Sequence, residues 1–235
     1  MLIAVFMANL KILTSIIFLL LAAGCAPRTD FSSGIAELEK INGKHNATMD
    51  TFPHSLGGMG AIISEVKQLK GMKLGSGQEQ FDFAVDFRIK LLEAEKLFIN
   101  GSSFGDSGTT VDGFSCKQRP VILESAGLRN RSAIKGFEAV SILSEFTSKY
   151  PAESAQLGLD RKRAFFLNAS FFKIDQDASK DSRAINQFCP ESRVLELFRE
   201  DIRKKTNLSA DYINNMGYTE ALEAWKKLRG SEEWR

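Results

Sequence analysis

Residues 79–99 read EQFDFAVDFRIKLLEAEKLFI, which is the strongest helical pattern in this 235-residue chain. Two neighbouring stripes of apolar side chains run along it: Phe81, Val85, Leu92 and Ile99 in one, and Phe83, Phe87, Leu91 and Phe98 in the other. A helix on a protein surface needs only one such stripe. The width of the apolar arc therefore predicts a central, largely buried helix.

The rest of the chain also has helical periodicity, and its prolines suggest where helices begin. Pro120, Pro151 and Pro190 each precede an amphipathic stretch, as expected at the first turn of a helix, where the missing N–H costs nothing. The predicted helices cover 35–41, 61–70, 79–99, 120–128, 132–150, 151–174 (continuous or broken), 191–205, 210–215 and 219–229. Convincing strand alternation does not occur, so the predicted class is all-α, either an irregular helical domain or a short α-solenoid-like helix stack.

Composition along the chain predicts three parts. Residues 1–24 form an apolar leader, residues 25–56 a flexible tether with a short helix, and residues 57–235 the helical domain. The last boundary falls at the cluster Gly57-Gly58-Met59-Gly60, because glycine-rich and polar turn-forming stretches separate periodic segments.

The leader contains an uncharged apolar run from Ile12 to Gly24, preceded by Lys11. Its 13 residues suit the h-region of a secretory signal peptide and fall short of the roughly 20 that a membrane-spanning helix needs. Met1 and Met7 are both compatible with the start of translation, since residues 7–11 form a short basic n-region.

The run ends in the sequence LAAGC, residues 21–25. This sequence resembles the lipobox of prokaryotic membrane lipoproteins, in which small residues precede the cysteine that receives a diacylglycerol. The resemblance implies cleavage before Cys25, lipidation of its thiol and stable anchoring, because two or three acyl chains hold a protein on a membrane. It also implies a cell-envelope protein that faces outside the cytoplasm, and Ala26 would allow sorting to an outer membrane in a two-membrane host. The alternative is an ordinary secretory signal with an incidental cysteine.

Cys116 and Cys189 are the two other cysteines in the chain. An even pair in an oxidising compartment favours a disulfide. Closing so long a loop stabilises a fold by about 4 kcal/mol in the chain-entropy estimate. Two buried free thiols are the main alternative, and a catalytic cysteine is the third.

Charge balance bears on the partners. Without residues 1–24 the chain has 235 − 24 = 211 residues, and without Lys11 it carries 31 − 1 = 30 basic against 29 acidic side chains. A nearly neutral chain lacks the concentrated basic surface that nucleic acid requires. The expected partners are the membrane, through the lipid anchor, and other envelope proteins.

One acidic segment has the start of a metal-binding pattern. Asp175, Asp177, Ser179 and Asp181 are spaced like the first ligands of an EF-hand loop, but Lys180 and Asn186 occupy the positions that require Gly and Glu. A solvated loop between helices is predicted here instead. The two histidines, His45 and His54, both fall in the predicted tether without partners at zinc-site spacing, and no metal or other cofactor is predicted.

A second, local resemblance lies around two of the prolines. The segment 146–154, FTSKYPAES, with Ala139 upstream, is similar to the joint between stacked helices in tetratricopeptide-type outer-membrane lipoproteins. Residues 188–192, FCPES, repeat the pattern 39 residues further on when the prolines are aligned. The resemblance implies stacked helix pairs, and an ordinary helical hairpin with proline at its second helix is the alternative.

These features together predict a lipid-anchored envelope protein that is a non-enzymatic helical interaction or scaffold module. A small-ligand or peptide-binding lipoprotein is the first alternative, and an envelope hydrolase without a local motif is the second. A concave surface with exposed aromatic side chains would favour the interaction module, and an enclosed apolar cavity would favour ligand binding. A Ser/His pair or buried carboxylates in a cleft would favour the hydrolase.

Overall fold

The computed structural model describes residues 30–53, 55–103 and 116–229, and these residues form nine α-helices and no strand. The prediction of an all-α protein is therefore confirmed. The leader, Cys25 and His54 lie outside the described residues. The helices are α1 (Phe31–Lys44), α2 (Leu56–Gln68), α3 (Gln78–Ser103), α4 (Arg119–Lys149), α5 (Pro151–Gln156), α6 (Arg161–Phe188), α7 (Glu191–Lys205), α8 (Ala210–Asn215) and α9 (Tyr218–Arg229).

Helix α3 lies at the centre of the larger hydrophobic cluster, as its apolar arc predicts. Phe81, Phe87 and Leu91 are completely buried, and Phe83 and Ile99 are partly buried against the same cluster. Helices α1, α2 and α4 all pack on α3. Two stripes of apolar side chains are needed because α3 has neighbours on more than one side.

Helices α3, α4 and α6 form an antiparallel stack with α4 in the middle. At one end, Lys149 near the end of α4 is 3.8 Å from Glu79 at the start of α3. Further along, the Ser132 hydroxyl in α4 donates to the Ala94 carbonyl in α3, and the two atoms are 2.7 Å apart. On the other side of α4, Gly136 offers no Cβ, so the Phe171 ring of α6 packs directly on the α4 backbone.

Helix boundaries in the second half of the chain differ from those predicted. The separate helices predicted over 120–128 and 132–150 are one helix, α4, because Leu128 and Ala133 continue its buried face through the polar residues between them. Of the two alternatives for 151–174, the broken helix is found: its first part ends at Gln156, Gly158 takes a left-handed conformation with φ of 68°, and the second part continues beyond 174 to Phe188. Asp160 then caps α6 by accepting from the Arg163 backbone N–H.

The N-terminal segment is more ordered than predicted from the sequence. A flexible tether is predicted to extend to residue 56, but Phe31, Leu38 and Met49 belong to the same hydrophobic cluster as α3. The polar, turn-forming composition of this segment suggests a flexible tether. Composition alone does not reveal that the segment has a hydrogen-bonding partner elsewhere in the chain.

That partner is Arg88 of α3, which is fully buried. Its Nε donates to the Asn42 side-chain oxygen at 2.9 Å, and its terminal nitrogens donate to the carbonyls of Met49 and Thr51 at 3.1 and 2.8 Å. Burial lowers the pKa of Arg88 to about 10, and the nearby Asp50 carboxylate opposes this shift. A buried cation is tolerated only where such bonds replace its water, so Arg88 holds the segment after α1 against the core.

A second, smaller hydrophobic cluster lies among the C-terminal helices. Phe198 of α7 and Trp225 of α9 are its largest side chains, with ring centroids 4.6 Å apart. Asp201 accepts from the indole N–H of Trp225 at 2.9 Å and from the Lys117 ammonium at 2.7 Å. The cluster therefore connects α7 and α9 to the short turn that precedes α4.

Candidate functional site

Helix α6 lies at the edge of the stack, and its packing defines which side faces outward. Ala164, Leu167 and Phe171 are buried and belong to the larger hydrophobic cluster. The contact is close because the Phe171 ring occupies the space that a side chain at Gly136 would fill. The rotation of α6 about its axis is thereby determined.

The opposite side of α6 presents three large aromatic side chains to solvent. Phe165, Phe166 and Phe172 are 69%, 50% and 54% exposed. The Phe165 and Phe166 rings meet edge to face, with centroids 6.0 Å apart. Residues seven apart lie on one side of a helix, so Phe172 continues the line of Phe165 along α6.

Exposed basic side chains lie along α6 on both sides of these rings in sequence. The exposed basic residues of α6 are Arg161, Lys162, Lys173, Lys180 and Arg183, whereas Asp177 is its one exposed acidic residue. The Lys162 ammonium lies 5.9 Å from the centroid of the Phe166 ring, within the range of a cation–π contact. We call this surface, with its three phenylalanines and five basic residues, the aromatic–basic face.

The other two carboxylates of α6 are turned towards α4 and occupied there. Asp175 accepts from the Asn130 amide at 2.7 Å, and Asp181 accepts from the Arg129 guanidinium at 2.6 Å. Asp177 is 3.9 Å from Lys173 on the exposed side. The electrostatic character of the outward surface of α6 is therefore positive.

An open groove of about 690 Å³ runs between α4 and the second half of α6. Polar side chains line much of it, including Asn130, Asp175 and Arg183, beside apolar Leu123. Because α4 and α6 are held together at Gly136 and again at the Arg129–Asp181 pair, the groove is a fixed feature between two rigid helices.

The acidic pattern that begins at Asp175 does not form the predicted loop. Asp175, Asp177, Ser179 and Asp181 all lie within α6, where residues two apart point in different directions. Across the described residues, no group of three or more His, Cys, Asp or Glu side chains is placed to hold a metal ion.

His45 is bound to a neighbouring carboxylate at the end of α1. Its Nε2 atom is 3.1 Å from the Glu65 carboxylate, and the Lys44 ammonium is 2.8 Å from the same oxygen. The hydrogen bonds from Lys44 and His45 lower the pKa of Glu65. This small ion-pair group joins α1 to α2.

Cys116 and Cys189 form a disulfide, with Cα atoms 5.2 Å apart, as predicted from the sequence. The bond ties the turn before α4 to the residue that follows α6. Cys189 is buried in the smaller hydrophobic cluster, so the disulfide closes one side of that cluster. Cys25, the predicted lipidation site, lies outside the described residues.

The sequence analysis did not single out the aromatic–basic face or Arg88. A signal for the face existed, because the apolar residues of 164–172 fall on two opposite sides of a helix: Ala164, Leu167 and Phe171 on one, Phe165, Phe166 and Phe172 on the other. The charges within the apolar arc of α3, Arg88 and Glu95, were the corresponding signal for buried polar contacts.

Comparison with protein-family models, with curated proteins and with solved structures gives no match to this chain. Within the part of the chain that the structure describes, no helix has the length and apolar character to cross a membrane. The arguments for function therefore rest on the leader sequence and on the surface of α6.

Proposed function

We propose that this chain is an envelope lipoprotein, acylated at Cys25 and exposed outside the cytoplasm. Its helical domain is an interaction module that binds another envelope component through the aromatic–basic face. The observation that carries this proposal is the exposure of Phe165, Phe166 and Phe172 on one helix.

Exposed single apolar residues are common, but here two phenylalanine rings are in contact and a third lies two turns further along the same helix. Contiguous apolar patches rimmed by polar residues mark sites of protein or membrane interaction. On α6 the rim is basic, and the opposite side of the helix is fixed against α4. Binding can therefore bury the rings without rearranging the helix, which keeps the conformational cost of association low.

The anchor is supported by the sequence of the leader. An apolar run of secretory length ends in small residues and Cys25, and acylation at that thiol would supply stable membrane attachment. Only four residues separate Cys25 from Asp30, the first described residue, so the anchor would hold the helical domain close to the bilayer.

Cell fractionation tests the anchor. The intact chain is expected in the membrane pellet and resistant to salt extraction, whereas Cys25→Ser is expected in the soluble fraction or as an unprocessed precursor. The double variant Cys116→Ser/Cys189→Ser is the matched control, since it removes the other two thiols and should stay in the pellet. Equal distribution of Cys25→Ser and the intact chain, with both processed to the same mass, would contradict the anchor.

Photo-crosslinking in intact cells tests the surface. A photoreactive amino acid at position 172 is expected to give adducts, protein or lipid, that the same group at position 188 does not. Phe172 and Phe188 are both 54% exposed on α6, so the comparison isolates the location of the side chain. Adduct yields that are equally low at both positions would contradict an occupied surface.

A second candidate function is supported by the groove between α4 and α6. Its volume of about 690 Å³ and its mixed lining are suited to a small polar ligand or a peptide. Thermal-shift screening with short peptides and small polar metabolites tests this candidate. A stabilising ligand whose effect disappears in Asn130→Ala would support it, and a screen in which every effect survives that substitution would not.

A further inference from the structure

We propose that the component bound by the aromatic–basic face is the anionic surface of a lipid bilayer, with α6 lying along the membrane. This inference rests on the proposed function for the membrane anchor, and it names the partner of the same surface.

The composition of the face fits a bilayer interface. Amphipathic helices that lie on membranes combine aromatic side chains with Lys and Arg and bind anionic headgroups electrostatically. On α6, Lys162 and Lys173 are exposed beside the rings, and both can extend their aliphatic chains along them while the ammonium groups reach the headgroups. The phenylalanines would suit a protein interface as well, but lysine is depleted from the cores of such interfaces. Here the Lys162 ammonium lies 5.9 Å from the centroid of the Phe166 ring, and Lys173 directly follows Phe172 in sequence.

The groove beside the rings has no acidic residue in its lining. A groove of about 420 Å³ next to Phe165 is lined by Val140, Ser144, Thr147 and Ser148 of α4, and Arg161 is the one charged residue that borders it. An approaching anionic surface meets this groove and the five exposed basic residues of α6; the exposed carboxylates on and next to the helix are Asp177 and the capping residue Asp160.

The start of the described chain lies at the same end of the stack as the start of α6. Phe31 packs against Gly77, just before α3, and Glu79 at the start of α3 is 3.8 Å from Lys149 at the end of α4. The short α5 leads from there into α6.

A direct contact links the two segments as well. The Arg163 guanidinium, in the first turn of α6, is 2.9 Å from the carboxylate of Asp50, which follows α1. The first turns of α6 and the N-terminal segment are therefore neighbours in the fold.

This placement puts the anchor at the end of the stack where the aromatic–basic face begins. The five peptide steps from Cys25 to Asp30 reach at most about 17 Å when fully extended. A lipid on Cys25 would therefore hold the N-terminal end of α6 near the headgroups. The lipid at Cys25 and the aromatic–basic face would reinforce each other's binding, because one contact keeps the other near the membrane at a high effective concentration.

Fluorescence quenching by brominated lipids tests the proposal on the full chain, purified from membranes and reconstituted into vesicles. Phe172→Trp places a reporter on the face, and Phe188→Trp is its control at equal exposure on the same helix. In phosphatidylglycerol vesicles, brominated lipid should reduce the emission of Phe172→Trp well beyond that of Phe188→Trp or the unsubstituted chain. In phosphatidylcholine vesicles, or after Lys162→Glu and Lys173→Glu together, the excess quenching should be lost.

Vesicle flotation in the same samples separates the two proposals. A chain that floats while Phe172→Trp is quenched no more than Phe188→Trp keeps its anchor and overturns the lipid-binding face, leaving a protein as the partner. If the excess quenching is equal in phosphatidylcholine vesicles, the proposed electrostatic attraction of the face to anionic lipid is overturned. A chain that does not float with phosphatidylglycerol vesicles overturns both the anchor and the face.

Discussion

Replacing Gly136 with alanine tests the packing that turns the aromatic–basic face outward. A Cβ atom at this position would lie 2.2 Å from two atoms of the Phe171 ring and 2.4 Å from a third. Carbon atoms pack without repulsion at about 3.5–4.0 Å, so the ring would have to retreat by more than 1 Å, roughly the difference between these distances. The ring is 4% exposed and has little free space to enter.

The expected loss of stability follows from two opposing effects. Forcing extra volume into a packed core costs about 1–3 kcal/mol. We take about 3 because the new Cβ would meet a buried, rigid aromatic ring at three atoms. Alanine improves helix propensity over glycine by about 1 kcal/mol. The net prediction for Gly136→Ala is a loss of about 2 kcal/mol, which lowers a urea midpoint by about 1 M when the m-value is near 2 kcal/mol/M.

Gly127→Ala, on the same helix, is the matched control, because a Cβ at Gly127 would have no atom within 4 Å. It should stabilise the chain by about 1 kcal/mol through propensity alone. Urea denaturation of residues 26–235 measures both variants. In a Phe171→Ala background, Gly136→Ala should lose its penalty. If Gly136→Ala is as stable as Gly127→Ala in the otherwise native chain, α6 does not pack on α4 through Phe171 and the outward face is wrongly placed.

Three further predictions concern the core, the disulfide and the pH dependence of stability. Phe87→Ala should cost about 3–5 kcal/mol in the same denaturation assay, because the side chain is completely buried, and a nearly neutral result would make α3 peripheral. Reducing the Cys116–Cys189 bond, which spans 73 residues, should lower stability by about 4 kcal/mol and the melting temperature with it; two alkylatable thiols in freshly isolated native protein would count against the bond. Burial raises the pKa of Glu95 above its ordinary 4.5, so the folded chain holds this proton more tightly and loses stability as the pH rises from about 4.5 through the raised pKa. Glu95→Gln should therefore increase stability at neutral pH, whereas Glu138→Gln should decrease it, because Lys90 and Lys135 hold the pKa of Glu138 below its ordinary value. Urea denaturation near pH 4 and pH 8 would show how the effect of each substitution on the free energy of unfolding changes with pH. This change should have opposite signs for the two variants, and the same sign for both would refute the assignment.

The parts of the fold that the sequence predicts well are those governed by local pattern. The apolar arc of α3 identifies a buried helix because its apolar side chains recur at the spacing of an α-helix. Residues 210–215 form α8 as predicted. An even cysteine pair correctly predicts the Cys116–Cys189 bond.

The features that the sequence does not reveal depend on contacts between distant residues. Nothing near Asn42 or Met49 indicates that Arg88, some forty residues away, will bind both. The predicted tether therefore includes residues that belong to the helical domain. Local composition can show that a segment is polar, but only the partner shows that it is ordered.

Helix α6 shows the same limit at the candidate site. Its polar second half suggests a loop, but Ala178 and Ile185 bury a narrow stripe there and Asp175 and Asp181 bond to α4. Phe165 and Phe172 point outward because α4 packs against the opposite side of α6. Periodicity alone does not choose between the two apolar sides of this helix.

Attachment of lipid to Cys25 is the central claim, and metabolic labelling with a fatty acid analogue tests it most directly. The chain would be expressed in a host that acylates lipoproteins, with Cys25→Ser in parallel, and the labelled peptide identified by mass spectrometry. We expect label on the intact chain at Cys25 and none on the variant. An intact chain that takes up no label, or a variant that takes up as much, would contradict this claim.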